Sequence, residues 1–426
     1  MSRILLTTLG SLGDLHPLIA LGLELRRRGH AIWFCVGASF RPKIESLGFG
    51  FEPLRPDITS EGPASAQVVR EIMDPRRGAE RLLRAYVFPE LRASYEDLVG
   101  AMSRIGGADL LVSGELVYAA PIVAEKTGVR WASCILSPSS FFSAHDPPVL
   151  PPFPNLSVLL RRLGAPSNRL AIGLVKLITR SWCEPIRRLR TELGLPPSRD
   201  PVFEGKHSPR LVLAMFSPTL ADPQPDWPKN TVVTGFAFYD GVNSEGGAGG
   251  DLENFLASGE PPVVFTLGSS AVQDPGDFYE AGAEAARILG RRAVLLRGRN
   301  APLKRLPQNV VSFGYVRFSE IFGRAAAVVH QGGIGTTGQV LRAGCPMLVM
   351  PYNFDQPDNG ARVARLGAGL TISRRRYTAG RAALALRRLL ADSKHRRAAA
   401  DIGRRVRGER GVENGCDALE KLLSGG

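Results

Sequence analysis

The segment at residues 330–363, HQGGIGTTGQVLRAGCPMLVMPYNFDQPDNGARV, carries the clearest structural signature in the chain. It leaves an apolar run, turns through several glycines at 331–338, continues as a predicted helix to Ala343 and enters an apolar strand at 347–350. A strand, turn, helix and strand in this order form a βα unit of a parallel sheet. Glycines let the backbone approach an anion, and a helix opening near Thr336 directs free N–H groups at it. We expect this turn to hold phosphate; the alternative is a plain glycine turn with a threonine cap.

The same segment matches a dinucleotide fingerprint, because Gly333, Gly335 and Gly338 precede Asp355 at a suitable distance. In dinucleotide folds, however, the fingerprint follows the first strand of a domain and the acid ends the second strand. Here the strand comes late in its half of the chain, so we interpret the turn as a phosphate site that does not bind NAD. The side chains expected to add hydrogen-bond donors around the anion are His330, Gln331, Thr336 and Thr337.

Strand and helix patterns alternate in both halves of the chain. Apolar strands are predicted at 3–8, 31–36, 109–112, 210–215, 263–267, 293–296, 310–312, 326–330 and 347–350. Amphipathic helices are predicted at 17–28, 119–128 and 278–289, with one or two more within 156–193. This rhythm predicts an α/β fold with two Rossmann-like domains facing a central cleft, and ligands at the carboxyl ends of the strands.

A glycine-rich stretch, GVNSEGGAGG at 241–250, is typical of a linker. It separates a first domain at 1–240 from a second domain at 251–405. We expect the remaining residues, 406–426, to form a helix that packs back on the first domain.

Composition limits the possible classes of protein. No apolar run approaches the roughly 18 residues of a membrane-spanning helix, and no cleavage pattern follows the apolar start, which predicts a soluble, cytoplasmic protein. The 5 cysteines are scattered, so neither disulfides nor a cysteine metal site are expected. No Asp-x-Asp pair is present to hold magnesium on a diphosphate, which predicts a site that needs neither a metal ion nor a cofactor.

The formal charge of +14 requires anionic partners to be considered. Much of it comes from arginines at helical spacing in the last quarter, with no interleaved aromatic residues for base stacking. We interpret these arginines as solvated helix faces, and we expect no nucleic-acid partner and at most a peripheral membrane contact.

Polar residues after other strands are further candidates. In TLGSS, at 266–270, small hydroxyl residues end the first strand of the second half. Asp355 and Gln356 offer an acceptor and an amide, which suits the hydroxyls of a sugar, although an Asx-turn is an equally simple reading. Asp14 follows the first strand, where it either caps the helix at Pro17 or acts as a general base. His16 is the other candidate base, and the residues alone do not separate the two.

Three segments resemble the GT-B nucleotide-sugar glycosyltransferases of family 1: GSLGDLHPLIALGLELRRRGH at 10–30, TLGSS at 266–270, and HQGGIGTTGQVLRAGCP with DQPDNGARV at 330–363. The bacterial branch that acts on sterols, macrolides and glycopeptide antibiotics is the most similar, including rhamnolipid rhamnosyltransferase B chains, which residues 137–149 resemble. The resemblance covers nearly the whole chain.

The resemblance implies an inverting transfer of a hexose, glucose foremost, from a UDP- or dTDP-sugar to an acceptor hydroxyl. It implies that the first domain binds the acceptor and the second domain binds the donor. Asp14 falls at the position of the base, and His16 ranks second. The implied donor contacts are Tyr315 and Val316 for the nucleobase, Gln339 for the ribose, Ser269, Ser270, Gln331, Gly333, Gly335 and Thr336 for the diphosphate, and Asp355 and Gln356 for the sugar.

Three positions depart from the family pattern. Gln331 stands where many relatives have a phosphate-binding histidine, and Gln339 stands where plant relatives have glutamate on the ribose. Gly114 replaces the acid that partners the base in plant enzymes, with Glu115 next to it.

The proline-rich stretch at 141–154 is predicted to form an irregular surface lip, and its apolar residues suggest a lipophilic acceptor such as a lipid, a sterol or terpenoid, or a phenol. The predicted acceptor contacts are Phe141, Phe142 and His145. The alternative function is a catalytically inactive subunit that binds a nucleotide sugar. The sequence leaves open the acceptor, the sugar, the choice between UDP and dTDP, and the oligomeric state.

Overall fold

The computed structural model describes residues 1–58, 63–198, 200–241 and 249–425. Most of the predicted linker, at 242–248, lies outside the described residues. The chain divides into two compact units. The first unit comprises Met1–Ser65, Arg76–Ala237 and Arg410–Gly426, and the second comprises Ala66–Pro75 and Phe238–Glu409.

Each unit contains one parallel sheet. Across the described residues, the first unit has seven strands in the order β3-β2-β1-β4-β5-β6-β7, and the second has six in the order β10-β9-β8-β11-β12-β13. The strands are β1 Arg3–Thr7, β2 Ala31–Val36, β3 Gly50–Pro53, β4 Leu110–Gly114, β5 Arg130–Ile135, β6 Val212–Ala214, β7 Thr231–Val233, β8 Val263–Thr266, β9 Ala293–Leu296, β10 Val310–Phe313, β11 Ala327–His330, β12 Met347–Val349 and β13 Gly369–Thr371. These orders are those of Rossmann-like domains, as the alternating pattern predicts.

Helices connect most of the strands. They are α1 Leu12–Arg27, α2 Arg41–Ser46, α3 Pro63–Ile72, α4 Gly78–Arg81, α5 Leu91–Arg104, α6 Ala119–Thr127, α7 Pro154–Leu163, α8 Ala165–Thr179, α9 Glu184–Glu192, α10 Gly249–Ala257, α11 Gly268–Ala271, α12 Phe278–Leu289, α13 Phe318–Ile321, α14 Ile334–Ala343, α15 Gln356–Arg365, α16 Ala379–Ala391, α17 Ser393–Arg407 and α18 Gly411–Leu423. The region 156–193 therefore holds parts of three helices, which Gly164 and a 3₁₀ turn at Arg180–Cys183 separate.

The first helix begins earlier than the sequence predicts. Its N-cap is Ser11, and Pro17, which we expected at the first helical position, lies inside α1. The Ser11 hydroxyl accepts a hydrogen bond from the Gly13 N–H at 3.1 Å, and the Asp14 carboxylate accepts one from the Ser11 N–H at 2.8 Å. This capping box satisfies the free N–H groups at the helix start and so moves the start upstream of the proline.

The sheets pass through the centres of the units. Ile4, Leu5 and Leu6 of β1 are fully buried on both faces of the sheet, because α1 and its neighbours cover one face and other helices cover the other. In the second unit, Phe265, Ala327 and Val329 belong to one apolar core with Phe278 of α12.

Two short segments each belong to the unit whose other residues are distant from them in sequence. Helix α18 belongs to the first unit, where Cys416 is buried against α1 and Arg28 Nη1 lies 2.6 Å from both Asp417 Oδ1 and Glu420 Oε2. Residues 66–75 belong to the second unit, where the Asn353 amide donates to the carbonyl of Ile72 at 2.7 Å. Nothing in the sequence pattern indicated the second of these placements.

No described helix has the length and apolar character needed to cross a membrane. All 5 cysteines are buried thiols, and the described residues contain no cluster of three or more histidine, cysteine, aspartate or glutamate side chains able to hold a metal ion.

Candidate active site

The topology fixes one ligand position in each sheet. In the first unit, β2 pairs on one side of β1 and β4 pairs on the other, so the chain reverses its direction of winding between β1 and β4. Loops that leave such a pair diverge to opposite faces of the sheet and leave a crevice at the carboxyl ends. A pocket lies there, lined by Thr8, Leu9, Asp14, Leu18, Gly114, Glu115, Leu116, Cys134 and Leu136.

Asp14 is the polar side chain that α1 presents to this pocket. Its Oδ2 accepts hydrogen bonds from the Ser11 N–H at 2.8 Å and from the Ser11 hydroxyl at 3.2 Å. The close approach requires a glycine at position 10, since a Cβ on Gly10 would lie 2.4 Å from Asp14 Oδ2. The two roles that we considered for Asp14 therefore coexist: one oxygen caps the helix, and the carboxyl group also lines the pocket.

The environment of Asp14 favours its protonated form. Burial raises the pKa of Asp14 to about 6, and the negative charge of Glu115 adds to the increase, whereas the hydrogen bonds from Ser11 act against it. A carboxylate with a pKa near 6 accepts a proton more readily than an exposed aspartate and is still ionised at neutral pH. The group is thus suited to act as a general base.

His16 does not share the pocket. Residues two apart on a helix point about 200° away from each other, so the side chain of His16 leaves α1 on another face. Burial lowers the pKa of His16 to about 3, and the positive charge of Lys43 adds to the decrease. Of the two candidates, Asp14 lines this pocket and His16 is not among its lining residues.

Glu115 and Lys206 form an ion pair at the pocket wall. Glu115 Oε2 lies 2.7 Å from Lys206 Nζ, and Glu115 Oε1 accepts a hydrogen bond from the Ser140 hydroxyl at 2.9 Å. Burial alone raises the pKa of Glu115, but Lys206 and Ser140 outweigh it and hold that pKa below its ordinary value. Glu115 therefore stays ionised beside Asp14.

Gly114 has a structural reason to lack an acid. A Cβ at this position would lie 2.6 Å from Oγ1 of Thr8, the residue after β1. A side chain at 114 would therefore require the Thr8 side chain to move, and the carboxylate that lines the pocket is that of the next residue, Glu115. Ser140 and Lys206 carried no signal in the sequence, because only the fold brings residues so far apart together. By contrast, the spacing of Ser11 and Asp14 is that of a capping box, so their contact could be predicted from the sequence.

The predicted acceptor contacts occupy different environments. Phe141 is buried and stacks on Trp227 with a centroid distance of 4.1 Å, so it belongs to the core of the first unit and does not form part of an exposed lip. Phe142 packs edge-on against Phe203, and His145 is exposed. The correction for Phe141 follows from its 3₁₀ turn, Pro138–Phe141, which directs the ring inward.

The second unit has an equivalent position between β8 and β11. The loops after these neighbouring strands are TLGSS and the glycine turn. The sequence analysis predicted that these two loops belong to one site. Gly268 has a φ of +62°, and a Cβ on it would lie 2.4 Å from Gln331 Nε2 and 3.2 Å from Thr336 Oγ1. The two loops therefore touch through these side chains, with Ser269 and Ser270 in the short helix α11 beside them.

Gln331 is the polar group best placed for a ligand here. Its side chain is 5% exposed, and among the described residues its Oε1 has no hydrogen-bond partner. The buried hydroxyl of Thr337 also has no hydrogen-bond partner within the described part of the chain. Buried polar atoms without partners are costly, so they mark a place where a ligand supplies the missing bonds. Gly335, where a Cβ would meet nothing within 4 Å, keeps the start of α14 open.

We expected His330 to donate a hydrogen bond to an anion at this turn, but its ring nitrogens contact the protein instead. It is fully buried, and its Nδ1 accepts a hydrogen bond from the Gly332 N–H at 3.0 Å. Burial lowers its pKa to about 3, so the ring is neutral and carries its proton on Nε2, which lies 3.2 Å from Met347 Sδ. Its role is to shape the turn from within.

The predicted sugar contacts also hold the turn. Asp355 Oδ2 accepts hydrogen bonds from the Ile334 N–H at 3.2 Å and from the Asn359 amide at 2.6 Å. Gln356 is 5% exposed, and its Oε1 accepts a bond from the Tyr352 N–H at 2.9 Å. Both side chains are therefore engaged with the protein, and Asn359 is a residue of this network that sequence reasoning missed.

The remaining predicted donor contacts lie within α14 and in the segment before α13. The Gln339 amide donates to Asp240 Oδ1 at 2.8 Å, and Arg342 pairs with the other oxygen of Asp240 at 3.0 Å. Tyr315 is exposed, and Val316 is buried beside it. Gln339 thus has an acidic neighbour that the sequence did not indicate.

Comparisons with known proteins agree with this fold. The model for the N-terminal domain of glycosyltransferase family 28 matches residues 4–131, and the model for the C-terminal domain of erythromycin biosynthesis protein CIII-like proteins matches residues 293–410. An O-mycaminosyltylonolide 6-deoxyallosyltransferase from Streptomyces fradiae is 32% identical over 430 residues, which cover 98% of this chain and 97% of that protein. A vancomycin aglycone glucosyltransferase from Amycolatopsis orientalis is 31% identical, with 94% and 93% covered.

The solved structure of the glycosyltransferase VinC in complex with dTDP superimposes with a TM-score of 0.67 at 20% identity and covers 100% of both chains. This likeness shows the fold, while the identity and coverage of the curated relatives show the family. The chain belongs to the family 1 nucleotide-sugar glycosyltransferases with the GT-B fold.

Proposed function

We propose that the protein is an inverting, metal-independent glycosyltransferase of the cytoplasm that moves a hexose from a UDP- or dTDP-sugar to a hydroxyl of a lipophilic small molecule. The names of the two relatives, a 6-deoxyallosyltransferase and a glucosyltransferase, support a hexose donor, with glucose foremost. The complex of VinC with dTDP supports a nucleoside diphosphate as the leaving group.

The observation that carries the proposal is the carboxyl group of Asp14 in the pocket between β1 and β4, with its pKa raised to about 6. The acceptor hydroxyl gives its proton to Asp14 as its oxygen attacks the anomeric carbon, and the nucleoside diphosphate leaves from the opposite face. Attack opposite the leaving group inverts the anomeric centre. Proton transfer to a positioned base of this kind typically accelerates a reaction by about 10²- to 10⁴-fold.

The turn between β8 and β11 suits the departing diphosphate. The N–H groups at the start of α14, the Gln331 amide and the Thr336 hydroxyl are hydrogen-bond donors that need no metal ion to stabilise negative charge. Asp355 takes one of these N–H groups, that of Ile334, and the backbone at Gly335 is open, since a Cβ there would meet nothing within 4 Å.

The pocket around Asp14 has a volume of about 10 Å³, which suits the hydroxyl end of an apolar acceptor. Leu9, Leu18, Leu116 and Leu136 supply apolar walls, while the carboxyl groups of Asp14 and Glu115 are its charged groups. Few polar groups in an apolar pocket orient a lipophilic ligand by a single hydroxyl.

The test is a transfer assay with purified protein, UDP- and dTDP-hexoses, and a panel of sterols, terpenoids, hydroxy fatty acids and phenols, with EDTA or with magnesium. We expect turnover that is indifferent to magnesium, and Asp14→Asn should lower kcat by about 10²-fold or more while calorimetric binding of UDP or dTDP is retained. The matched control, His16→Gln, should keep turnover.

Two results would count against the proposal. If Asp14→Asn keeps turnover and His16→Gln loses it, the base is misassigned. If wild-type protein binds UDP or dTDP but transfers sugar to no acceptor in the panel, the alternative of an inactive nucleotide-sugar-binding subunit is favoured.

A further inference from the structure

Helices α7 and α8 expose an unusual amount of apolar surface. Phe153, Leu156, Leu159 and Leu163 recur every three or four residues along α7, and each exposes between 48% and 60% of its surface. Leu170, Leu174, Leu177 and Ile178 do the same along α8, with exposures between 57% and 78%. We call these eight side chains the apolar face. Single exposed apolar residues are ordinary, but a contiguous set of this size marks a binding surface.

The two helices that carry the apolar face contain basic side chains and no acidic ones. From residue 147 to residue 183 the sequence contains no aspartate or glutamate, whereas α7, α8 and the turn that follows contribute four arginines and one lysine. Arg161 pairs with Asp146, and Lys176 pairs with Asp200 and Glu204. Arg162 and Arg180 are exposed and have no acidic partner among the described residues.

The chain after the apolar face lines a groove. At and beyond the 3₁₀ turn Arg180–Cys183, which ends α8, Ser181, Pro185 and Arg188 line a groove of about 590 Å³ with Trp182, Arg84 and Arg92. Arg92 pairs with Glu192, which also lines the groove together with Glu184. Arg188 has no acidic partner within the described part of the chain. Tryptophan and arginine are typical of the level of lipid headgroups.

The composition of the face favours a lipid surface over another protein. Protein hot spots are rich in tryptophan, tyrosine and arginine and poor in leucine and valine, whereas this face consists of leucine, isoleucine and phenylalanine. A second copy of the chain bound through the same face would present the same basic helices and so would offer Arg162 and Arg180 little opposite charge. An anionic bilayer offers hydrocarbon for the leucines and phosphate for the arginines at once.

We infer that the apolar face of α7 and α8 binds the protein peripherally to the surface of an anionic lipid bilayer. The apolar side chains enter the boundary between headgroups and acyl chains, and the arginines remain at the phosphates. This inference does not depend on the proposed transferase activity, since it concerns a different surface and a different measurement.

The test is flotation of the full-length protein with vesicles of phosphatidylcholine, with and without phosphatidylglycerol, at low and physiological salt. We expect binding to the phosphatidylglycerol vesicles that weakens with salt and falls by about tenfold or more in the variant L170Q/L174Q/L177Q. The matched control, I288Q/L384Q, changes exposed apolar residues of α12 and α16 and should bind as the wild type does. R162Q/R180Q should bind more weakly to anionic vesicles.

Circular dichroism and light scattering complete the test. The substituted side chains are exposed, so all variants should melt as the wild type does. Absence of vesicle binding by the wild type, equal binding by L170Q/L174Q/L177Q, or a wild-type dimer that this variant dissociates would each overturn the inference, the last by assigning the face to contacts between copies.

Discussion

Lys206 Nζ lies 2.7 Å from Glu115 Oε2 at the wall of the pocket that Asp14 also lines. Lys206 is 8% exposed and the Glu115 side chain is 25% exposed, and the ammonium group of Lys206 favours the ionised form of Glu115 against the effect of desolvation. The pair therefore keeps a negative charge beside Asp14, and that charge helps to raise the pKa of Asp14. Asp14, the proposed base, thus lies beside a second carboxylate that raises its pKa.

Replacement of Glu115 with glutamine should shift the pH profile of the transferase. Loss of the negative charge, with Lys206 still present, lowers the pKa of Asp14, because a nearby negative charge favours the protonated acid. The acidic limb of the kcat/KM profile should therefore move to lower pH, by a few tenths to about one unit. Glu80→Gln, which changes an exposed carboxylate on α4, should leave the profile unchanged; an unshifted profile for Glu115→Gln would separate Glu115 from the base.

Asp14→Asn should make the protein more stable at neutral pH. The pKa of Asp14 rises from 3.8 to about 6 on folding, so the folded state binds this proton more tightly than the unfolded state does. The wild type therefore loses stability as pH rises from about 4 to about 6, and the penalty is complete above that range. Asparagine avoids the penalty, and its oxygen still accepts the bond from Ser11. We expect a Tm a few degrees higher than that of the wild type at pH 7, and equal Tm values near pH 4. A lower Tm at both pH values would mean that the cap outweighs the buried charge.

Site residues at strand ends could be predicted from the sequence, whereas contacts between residues distant in sequence could not. The glycine turn, TLGSS and Asp14 lie at strand ends, and alternation of strands and helices is enough to place such residues at one edge of a sheet. Lys206 was not readable, because it meets Glu115 only through the folded first unit. His330 was misjudged for a different reason, since a histidine at a strand end looks like a ligand until its burial is known.

In the fold, too, local elements could be predicted from the sequence and long-range contacts could not. The predicted strands agree with the observed ones to within two residues, but β3, β5, β7 and β13 were not predicted. The start of α1 was misplaced because Pro17 suggested a first helical position, although Ser11 and Asp14 already offered a capping box. The membership of residues 66–75 in the second unit depends on long-range contacts such as that of Asn353 with Ile72, which no local pattern encodes.

Gln331→Leu should weaken nucleotide binding without weakening the fold. Gln331 and Gln356 are equally buried, but the oxygen of Gln356 accepts a backbone bond, whereas that of Gln331 has no partner among the described residues. A leucine at 331 removes the amide N–H group that we propose donates to the diphosphate, together with a buried oxygen that has no partner among the described residues, so the calorimetric Kd for UDP or dTDP should rise by about tenfold at an unchanged Tm. Gln356→Leu should lower the Tm instead. If Gln331→Leu lowers the Tm and keeps the affinity, the amide serves the turn and not the ligand.

Arg362→Met should destabilise the second unit strongly. Arg362 Nε lies 2.6 Å from Asp358 Oδ2, and the two side chains are 1% and 0% exposed. Removal of one partner leaves a buried charge uncompensated, which typically costs about 3–5 kcal/mol in free energy of unfolding. Urea unfolding followed by circular dichroism measures the loss. The control is Arg404→Met, which breaks an exposed pair with Asp401 and should cost at most about 1 kcal/mol; similar losses for the two variants would contradict the burial argument.

Gly411→Ala should loosen the last helix from the first unit. Gly411 begins α18, and a Cβ there would lie 2.2 Å from the carbonyl oxygen of Phe236, a backbone atom that cannot swing aside. Either α18 or the segment after β7 must shift, and such overpacking typically costs about 1–3 kcal/mol. Gly380, near the start of α16, meets nothing within 4 Å, so Gly380→Ala should be neutral or slightly stabilising because alanine restricts the unfolded chain. A thermal melt of each variant makes the comparison. A Tm for Gly411→Ala equal to that of Gly380→Ala would mean that α18 has room to move away from Phe236 at no cost.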